Sequence, residues 1–171
     1  VKDESGNLAI FQELSASPTS IQSANSCIAY GLLPGHKTTQ SDAVRAYIQS
    51  LLGSKCKTWV ALPQDLWPES WRGKFQRPMV LLVKSLYGHP EAGGHWEKHL
   101  SDAVARAGGV PVPGHPSSFW FKKERCLLTV YVDDLLLSGP SASHACIWAR
   151  LRDPKVGDIR LDDPAPLGRF L

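Results

Sequence analysis

Apolar residues recur at helical spacing in three stretches of the chain. The first follows Ser17-Pro18, a typical helix start, and predicts a helix near residues 18–30. The second opens at Pro90, ends at Gly108-Gly109, and buries one face made of Trp96, Leu100, Ala103, Val104 and Ala107. The third is predicted to begin at Pro140, with core contacts from Ile147, Trp148 and Leu151.

Short apolar runs lie between these helices and indicate β-strands. The predicted strands are residues 57–62 and 79–83, the two halves of the run 127–138, and a final short strand at 159–161. The segment 63–79 is rich in Trp, Pro and Gly, which is typical of an ordered loop. Since helices and strands do not alternate strictly, the order predicts the α+β class with an antiparallel sheet.

The composition of the chain excludes few classes of function. The chain has 171 residues, 43% of them hydrophobic, and a formal charge of +3, which permits nucleic-acid binding without arguing for it. Four scattered cysteines (Cys27, Cys56, Cys126 and Cys146) suggest neither a zinc knuckle nor a disulfide framework, which favours a reducing compartment. With no apolar stretch long enough to cross a membrane and no signal peptide, we expect an intracellular, non-secreted protein without a membrane partner.

Two adjacent carboxylates, Asp133 and Asp134, interrupt the most apolar run of the chain. Unpaired buried charge is costly, but carboxylate oxygens suit hard divalent cations. Asp42 is the candidate third ligand, since two acids from one hairpin and one from another strand can supply the bridging carboxylates of two-metal phosphoryl transfer. The alternative is an ordinary hairpin turn that uses Asp-Asp for its backbone preferences, with Asp42 a solvated turn residue.

Three blocks in this order resemble the reverse transcriptase domain of copia-type LTR retrotransposons, a part of the Pol polyprotein. The first runs from Asp42 to Tyr47, with an aromatic residue five positions after the Asp. The second runs from Leu82 through Ser85-Leu86-Tyr87-Gly88 into Ala92 and Trp96, and the third is Tyr131-Val132-Asp133-Asp134 through Gly139. Two weaker blocks, 59–63 and 166–171, agree with the family pattern.

The resemblance implies that residues 1–171 form one partial reverse transcriptase domain. Its fold would be a polymerase palm, an antiparallel sheet with helices packed on one face, over about residues 36–171. Residues 1–35 would be residual fingers or a connecting helix, and the thumb would be absent. The missing fingers, thumb and RNase H parts would belong to the parent polyprotein, so we expect this chain to be weakly active or inactive as a polymerase.

The resemblance also implies roles in RNA-directed DNA synthesis for the carboxylates. Asp42 and Asp133 would hold two Mg²⁺ ions, or Mn²⁺, and Asp134 would assist them as the third catalytic and metal-binding residue. The partners would be an RNA or DNA template-primer and deoxynucleoside triphosphates, in a cytoplasmic particle or the nucleus.

Further positions would contact the substrates. Tyr47 would lie under the sugar and disfavour a 2′-hydroxyl, and Gly88 would allow close backbone approach. Glu91 would lie at the nucleotide where the family usually has Gln, with a negative charge near a polyanion. The positions expected beside primer or template are Tyr131, Val132 and Lys84.

Other functions stay open from the sequence. One is a non-catalytic, decayed retroelement remnant that binds nucleic acid or a partner at most; another two-metal nuclease or phosphotransferase is less favoured, because it would not need the Tyr-Val-Asp-Asp hairpin. His95 and His99 have the i,i+4 spacing of a zinc helix, but Glu97 is misplaced for a metalloprotease. We therefore expect both histidines on a solvated helix face.

Overall fold

The computed structural model describes residues 17–168 as a mixed α+β structure. The helices are α1 (Ile21–Gly31), α2 (Ala46–Gln49), α3 (Ala92–Arg106) and α4 (His144–Arg152). The strands are β1 (His36–Asp42), β2 (Trp59–Ala61), β3 (Met79–Leu81), β4 (Val110–Pro111), β5 (Ser118–Phe121), β6 (Cys126–Tyr131), β7 (Asp134–Pro140) and β8 (Ala165–Pro166). Among the described residues, no helix is long and apolar enough to cross a membrane.

Six strands form one sheet in the order β4-β5-β6-β7-β1-β8, and every pairing is antiparallel. The remaining two, β2 and β3, form a separate antiparallel hairpin. Between them, the loop predicted at 63–79 contains two short 3₁₀ turns, Gln64–Leu66 and Glu69–Trp71. The prediction of an α+β class with an antiparallel sheet is therefore confirmed.

Strand β7 lies in the middle of this sheet and is buried on both faces. Leu135 and Leu137 point into the main core, which α3 and α4 complete with Trp96, Leu100, Val104, Ile147 and Leu151. Leu136 points to the other face, where α1 packs and the Cys27 thiol lies 3.6 Å from the Leu136 carbonyl oxygen. Helices α3 and α4, from the range predicted as the palm, lie on one face, and α1, from the range predicted as fingers or a connecting helix, packs on the other. A continuous Leu run supplies apolar side chains to both faces.

Several predicted boundaries move in the structure. Helix α1 begins after Ser20, whose hydroxyl accepts the Ser23 amide at 3.1 Å, so Pro18 lies before the helix and not in its first turn. Pro140 ends β7 and precedes a 3₁₀ turn, so α4 begins at His144 rather than at the proline. The helix predicted after Pro90 is confirmed as α3.

The region 159–161 does not form the predicted strand. It makes only an isolated bridge, Ala43 with Leu161, although Ile159 is buried in the core. Conversely, β1 is a regular seven-residue strand although its sequence is polar. Pairing with β7 stabilises this strand, because its own residue pattern would not predict one. Residues 1–16, and 169–171 of the last family-like block, lie outside the described residues.

Candidate functional site

The β6–β7 hairpin turns through two residues, Val132 and Asp133, because Tyr131 pairs with Asp134. Val132 has φ 58°, a left-handed conformation that is rare for a β-branched residue and is usually left to glycine in such turns. The indole N–H of Trp96 donates a hydrogen bond of 2.7 Å to the Val132 carbonyl oxygen. A strained turn held by its surroundings is typical of a functional segment.

Strand β1 brings the third predicted carboxylate to the same end of the sheet. Asp42, its last residue, is the direct partner of Asp134 in the β1–β7 ladder. The next residue, Ala43, donates its amide to the Asp133 carbonyl oxygen at 2.8 Å. Directly opposite residues in an antiparallel pair have Cβ atoms about 5 Å apart. The structure therefore brings Asp42 and Asp134, on two adjacent strands, to the same end of the sheet as Asp133 in the turn.

Burial and mutual repulsion both disfavour the charged forms of Asp42 and Asp134. Partial burial, and then the charges of Asp133, Asp134 and Asp162, raise the pKa of Asp42 above its ordinary value. Burial and the charge of Asp133 likewise raise the pKa of Asp134. A cluster of carboxylates that resists ionisation is one that a bound cation would stabilise.

The donor set suits a hard cation, since every candidate ligand at this end of the sheet is a carboxylate oxygen. As the side chains stand, however, no three His, Cys, Asp or Glu residues within 17–168 are gathered into a ready metal-binding group. The backbone brings the aspartates to one edge, and side-chain rotation would have to complete any coordination shell.

Asp162 is a fourth acidic residue at this site, although the sequence favoured a polar turn before Pro164 for Asp162-Asp163 over a pair of ligands. Its amide donates to the Asp42 carbonyl oxygen at 2.9 Å, and the Ser41 hydroxyl donates to the Asp162 carbonyl oxygen at 2.7 Å. Its charge contributes to the raised pKa of Asp42. The only signal in the sequence is the adjacent pair Asp162-Asp163, which is equally common in polar loops.

An aromatic pair lies beside the carboxylates. Tyr47 is half-buried against the core, and its ring centroid lies 4.4 Å from that of Tyr87, which is 54% exposed. Burial, and then the charge of Asp133, raise the pKa of Tyr87, with smaller contributions from Tyr47 and Asp42. Tyr87 therefore joins Tyr47 at the site, although the sequence indicated it only as part of the block ending in Gly88.

The other predicted contact residues occupy different settings. Gly88 has φ +88° and open space where a Cβ would lie, so its backbone is accessible. The Lys84 ammonium group donates to the Gln49 carbonyl oxygen at 3.1 Å. Tyr131 is 39% exposed at the end of β6.

Glu91 is turned inward at the start of α3, 5% exposed, with its Oε2 3.8 Å from the His95 Nε2. A contact between this carboxylate and a nucleotide would need the side chain to leave that position. The expectation of solvated histidines on α3 is wrong: His95 and His99 are both partly buried, and burial lowers the pKa of His99.

The chain matches no protein-family model, no curated protein and no solved structure.

Proposed function

We propose that this chain is the palm part of an RNA-directed DNA polymerase of the copia-type retrotransposon class. The observation that carries the proposal is the meeting of Asp42 with Asp133 and Asp134 at one end of a sheet, from two blocks far apart in the sequence. Each block resembles a catalytic block of that family. A hairpin that used Asp-Asp only for its turn preference would not need a third aspartate opposite it.

Asp42 and Asp133 would hold two Mg²⁺ ions, and Asp134 would assist from the start of β7. When bound, such ions supply positive charge to the triphosphate and lower the pKa of the primer 3′-hydroxyl. The chain itself supplies negative side chains at a partly exposed edge, where their raised pKa values mark the charge that a cation would neutralise.

The neighbouring residues support binding of a nucleotide and a nucleic acid. The Tyr47 ring, paired with Tyr87, presents an aromatic surface beside the carboxylates on which a deoxyribose would rest. The family resemblance implies that this ring disfavours a 2′-hydroxyl. Residues 70–88 carry four Lys or Arg and no Asp or Glu, together with exposed Phe75 and Tyr87. Positive charge interleaved with exposed aromatic rings suits a polyanion with stacked bases.

Primer extension tests the proposal directly. The purified 171-residue chain is incubated with a homopolymer RNA template, a DNA primer, the matching deoxynucleoside triphosphate and Mg²⁺. We expect slow extension that EDTA abolishes and that Asp133→Asn reduces by at least about a hundredfold, the size of loss typical when a charged group at the reacting centre is removed.

Asp65→Asn is the matched control, because Asp65 is an exposed aspartate in a 3₁₀ turn of the 63–79 loop. It should extend primers as the unaltered chain does. Equal extension by the Asp133→Asn variant would contradict the proposed carboxylate role.

The second candidate is a non-catalytic remnant. Residues 89–94, directly after Gly88, favour it because they include no Lys or Arg to hold phosphates. No extension by the folded chain, together with retained binding of the template-primer, would support this remnant.

A further inference from the structure

We propose that Trp96 is a positioning residue that fixes the backbone of Asp133 through the carbonyl of Val132. The hydrogen bond from the indole N–H to that carbonyl is 2.7 Å long, and Trp96 is 2% exposed on α3. The bond joins the long helix beneath the sheet to the turn that carries the central carboxylate.

The planarity of the peptide unit makes this contact act on Asp133. The Val132 carbonyl shares one rigid plane with the amide and Cα of Asp133, so holding the oxygen also holds the start of the next residue. The carbonyl of Asp133 is held in turn by the Ala43 amide at 2.8 Å. The two peptide units flanking Asp133 are thus anchored separately, one to α3 and one to the end of β1 beside Asp42.

Backbone strain explains why the turn needs such an anchor. Val132 at φ 58° occupies a conformation that persists only when surrounding contacts impose it. A small cavity of about 20 Å³ lies behind the turn, lined by side chains that include Tyr47, Trp96 and Val132. The packing there leaves a small gap, so the hydrogen bond supplements the close contacts in holding the turn.

Trp148 provides a matched control for the loss of the indole N–H. It is also buried, 4% exposed on α4, and its indole donates to the Thr39 hydroxyl at 3.0 Å in the middle of β1. Trp96→Phe and Trp148→Phe each remove a buried indole N–H and keep a six-membered aromatic ring. The first variant makes this change at the turn, and the second makes it away from the turn.

Amide hydrogen exchange measures the turn without any catalytic assay. In the Trp96→Phe variant we expect the Ala43 amide to exchange about tenfold faster, since loss of a buried donor costs about as much as one order of magnitude in an opening equilibrium. In Trp148→Phe, that amide should exchange as in the unaltered chain. Equal exchange of Ala43 in all three proteins, or equal acceleration in both variants, would overturn the proposal.

Primer extension adds a kinetic measurement that rests on the proposed function. Trp96→Phe should lower kcat about tenfold with little change in the KM for the deoxynucleotide, because a displaced Asp133 affects the reacting centre more than substrate binding. Trp148→Phe should leave both constants unchanged. If the unaltered chain does not extend primers, the polymerase proposal fails while the exchange result still decides the role of Trp96.

A measurement on the unaltered chain covers the case in which a variant does not fold. The indole N–H of Trp96 should exchange with deuterated water as slowly as that of Trp148, and far more slowly than that of exposed Trp59. Exchange of the Trp96 indole at the Trp59 rate would show that the hydrogen bond is not held in solution, and would overturn the proposal.

Discussion

Replacing Asp42 by Asn should stabilise the cation-free protein. Asp42 faces Asp134 directly across the β1–β7 pair, and a like-charged pair in that geometry costs about 0.2–1 kcal/mol. Both side chains are exposed, so solvent screening holds the total gain, with the repulsion from Asp133 and Asp162 included, at about 0.5 kcal/mol. For a chain of this length, this corresponds to a rise in Tm of about 1–2 °C.

Mg²⁺ should reverse the order of stability of the unaltered chain and the Asp42→Asn variant. A cation that binds only the folded state at one hundred times its Kd adds about 2.7 kcal/mol to the free energy of unfolding. The unaltered chain should gain this amount, whereas the Asp42→Asn variant lacks one of the proposed ligands and should gain much less. The variant is therefore the more stable protein in EDTA and the less stable one in saturating Mg²⁺.

Thermal unfolding followed by circular dichroism provides the assay, in EDTA and across a MgCl₂ titration with NaCl added to hold the ionic strength constant. Asp65→Asn is the control, and its Tm should follow that of the unaltered chain in both conditions. Equal Mg²⁺ stabilisation of the unaltered and Asp42→Asn proteins would refute the metal site. A lower Tm for Asp42→Asn in EDTA would refute the repulsion.

The difference in stability between the unaltered chain and the Asp42→Asn variant should also depend on pH. The pKa of Asp42 is raised in the folded state, so the repulsion is complete above that folded-state pKa. It declines as the pH falls towards 3.8, the ordinary Asp value, because the folded protein takes up the proton first. The advantage of Asp42→Asn in EDTA should therefore disappear in acid, as measured by urea unfolding at a series of pH values.

Three further predictions follow from the fold and the site. His144 is buried between the Thr39 hydroxyl and the Gly139 carbonyl, and burial lowers its pKa. Its contribution to stability is complete above about pH 6.5 and is lost as the pH falls through the folded-state pKa. In urea unfolding at a series of pH values, His144→Asn should therefore reduce the loss of unfolding free energy in acid. Gly157→Ala should lower the free energy of unfolding by about 1–3 kcal/mol in urea, because a Cβ there would overlap the Leu151 carbonyl; unchanged stability would contradict this packing. If the chain extends primers, Tyr47→Ala should raise incorporation of ribonucleotides relative to deoxynucleotides at least about tenfold, measured by single-nucleotide addition, and an unchanged ratio would remove the tyrosine from sugar selection.

Local pattern was sufficient for much of the fold. The spacing of Trp96, Leu100 and Val104 predicted the face of α3 that is buried, because a helix repeats its exposure every 3.6 residues. The apolar run on either side of Asp133 predicted the hairpin of β6 and β7 for a similar reason. These elements could be predicted because the spacing of their own apolar side chains indicates them.

Strand β1 and the region 159–161 show where local pattern fails. The polar segment His36–Asp42 has little strand pattern of its own and becomes regular only by pairing with β7. Ile159-Arg160-Leu161 has that pattern but makes a single bridge, because β8 and not this segment continues the ladder beside β1. Strand formation depends on an available partner edge, which is a property of the assembled sheet.

The same distinction between local pattern and tertiary structure applies to the residues of the site. The sequence by itself determined that two carboxylates, Asp133 and Asp134, follow Tyr131 and Val132 at the tip of an apolar hairpin, since these residues are neighbours in the chain. Only the tertiary structure decided that Asp42 stands opposite Asp134, that Asp162 and Tyr87 join the cluster, and that Trp96 holds the turn from below. The physical reason is register: strand pairing across distant segments is set by how the whole core packs, and a shift of one residue would turn Asp42 to the opposite face.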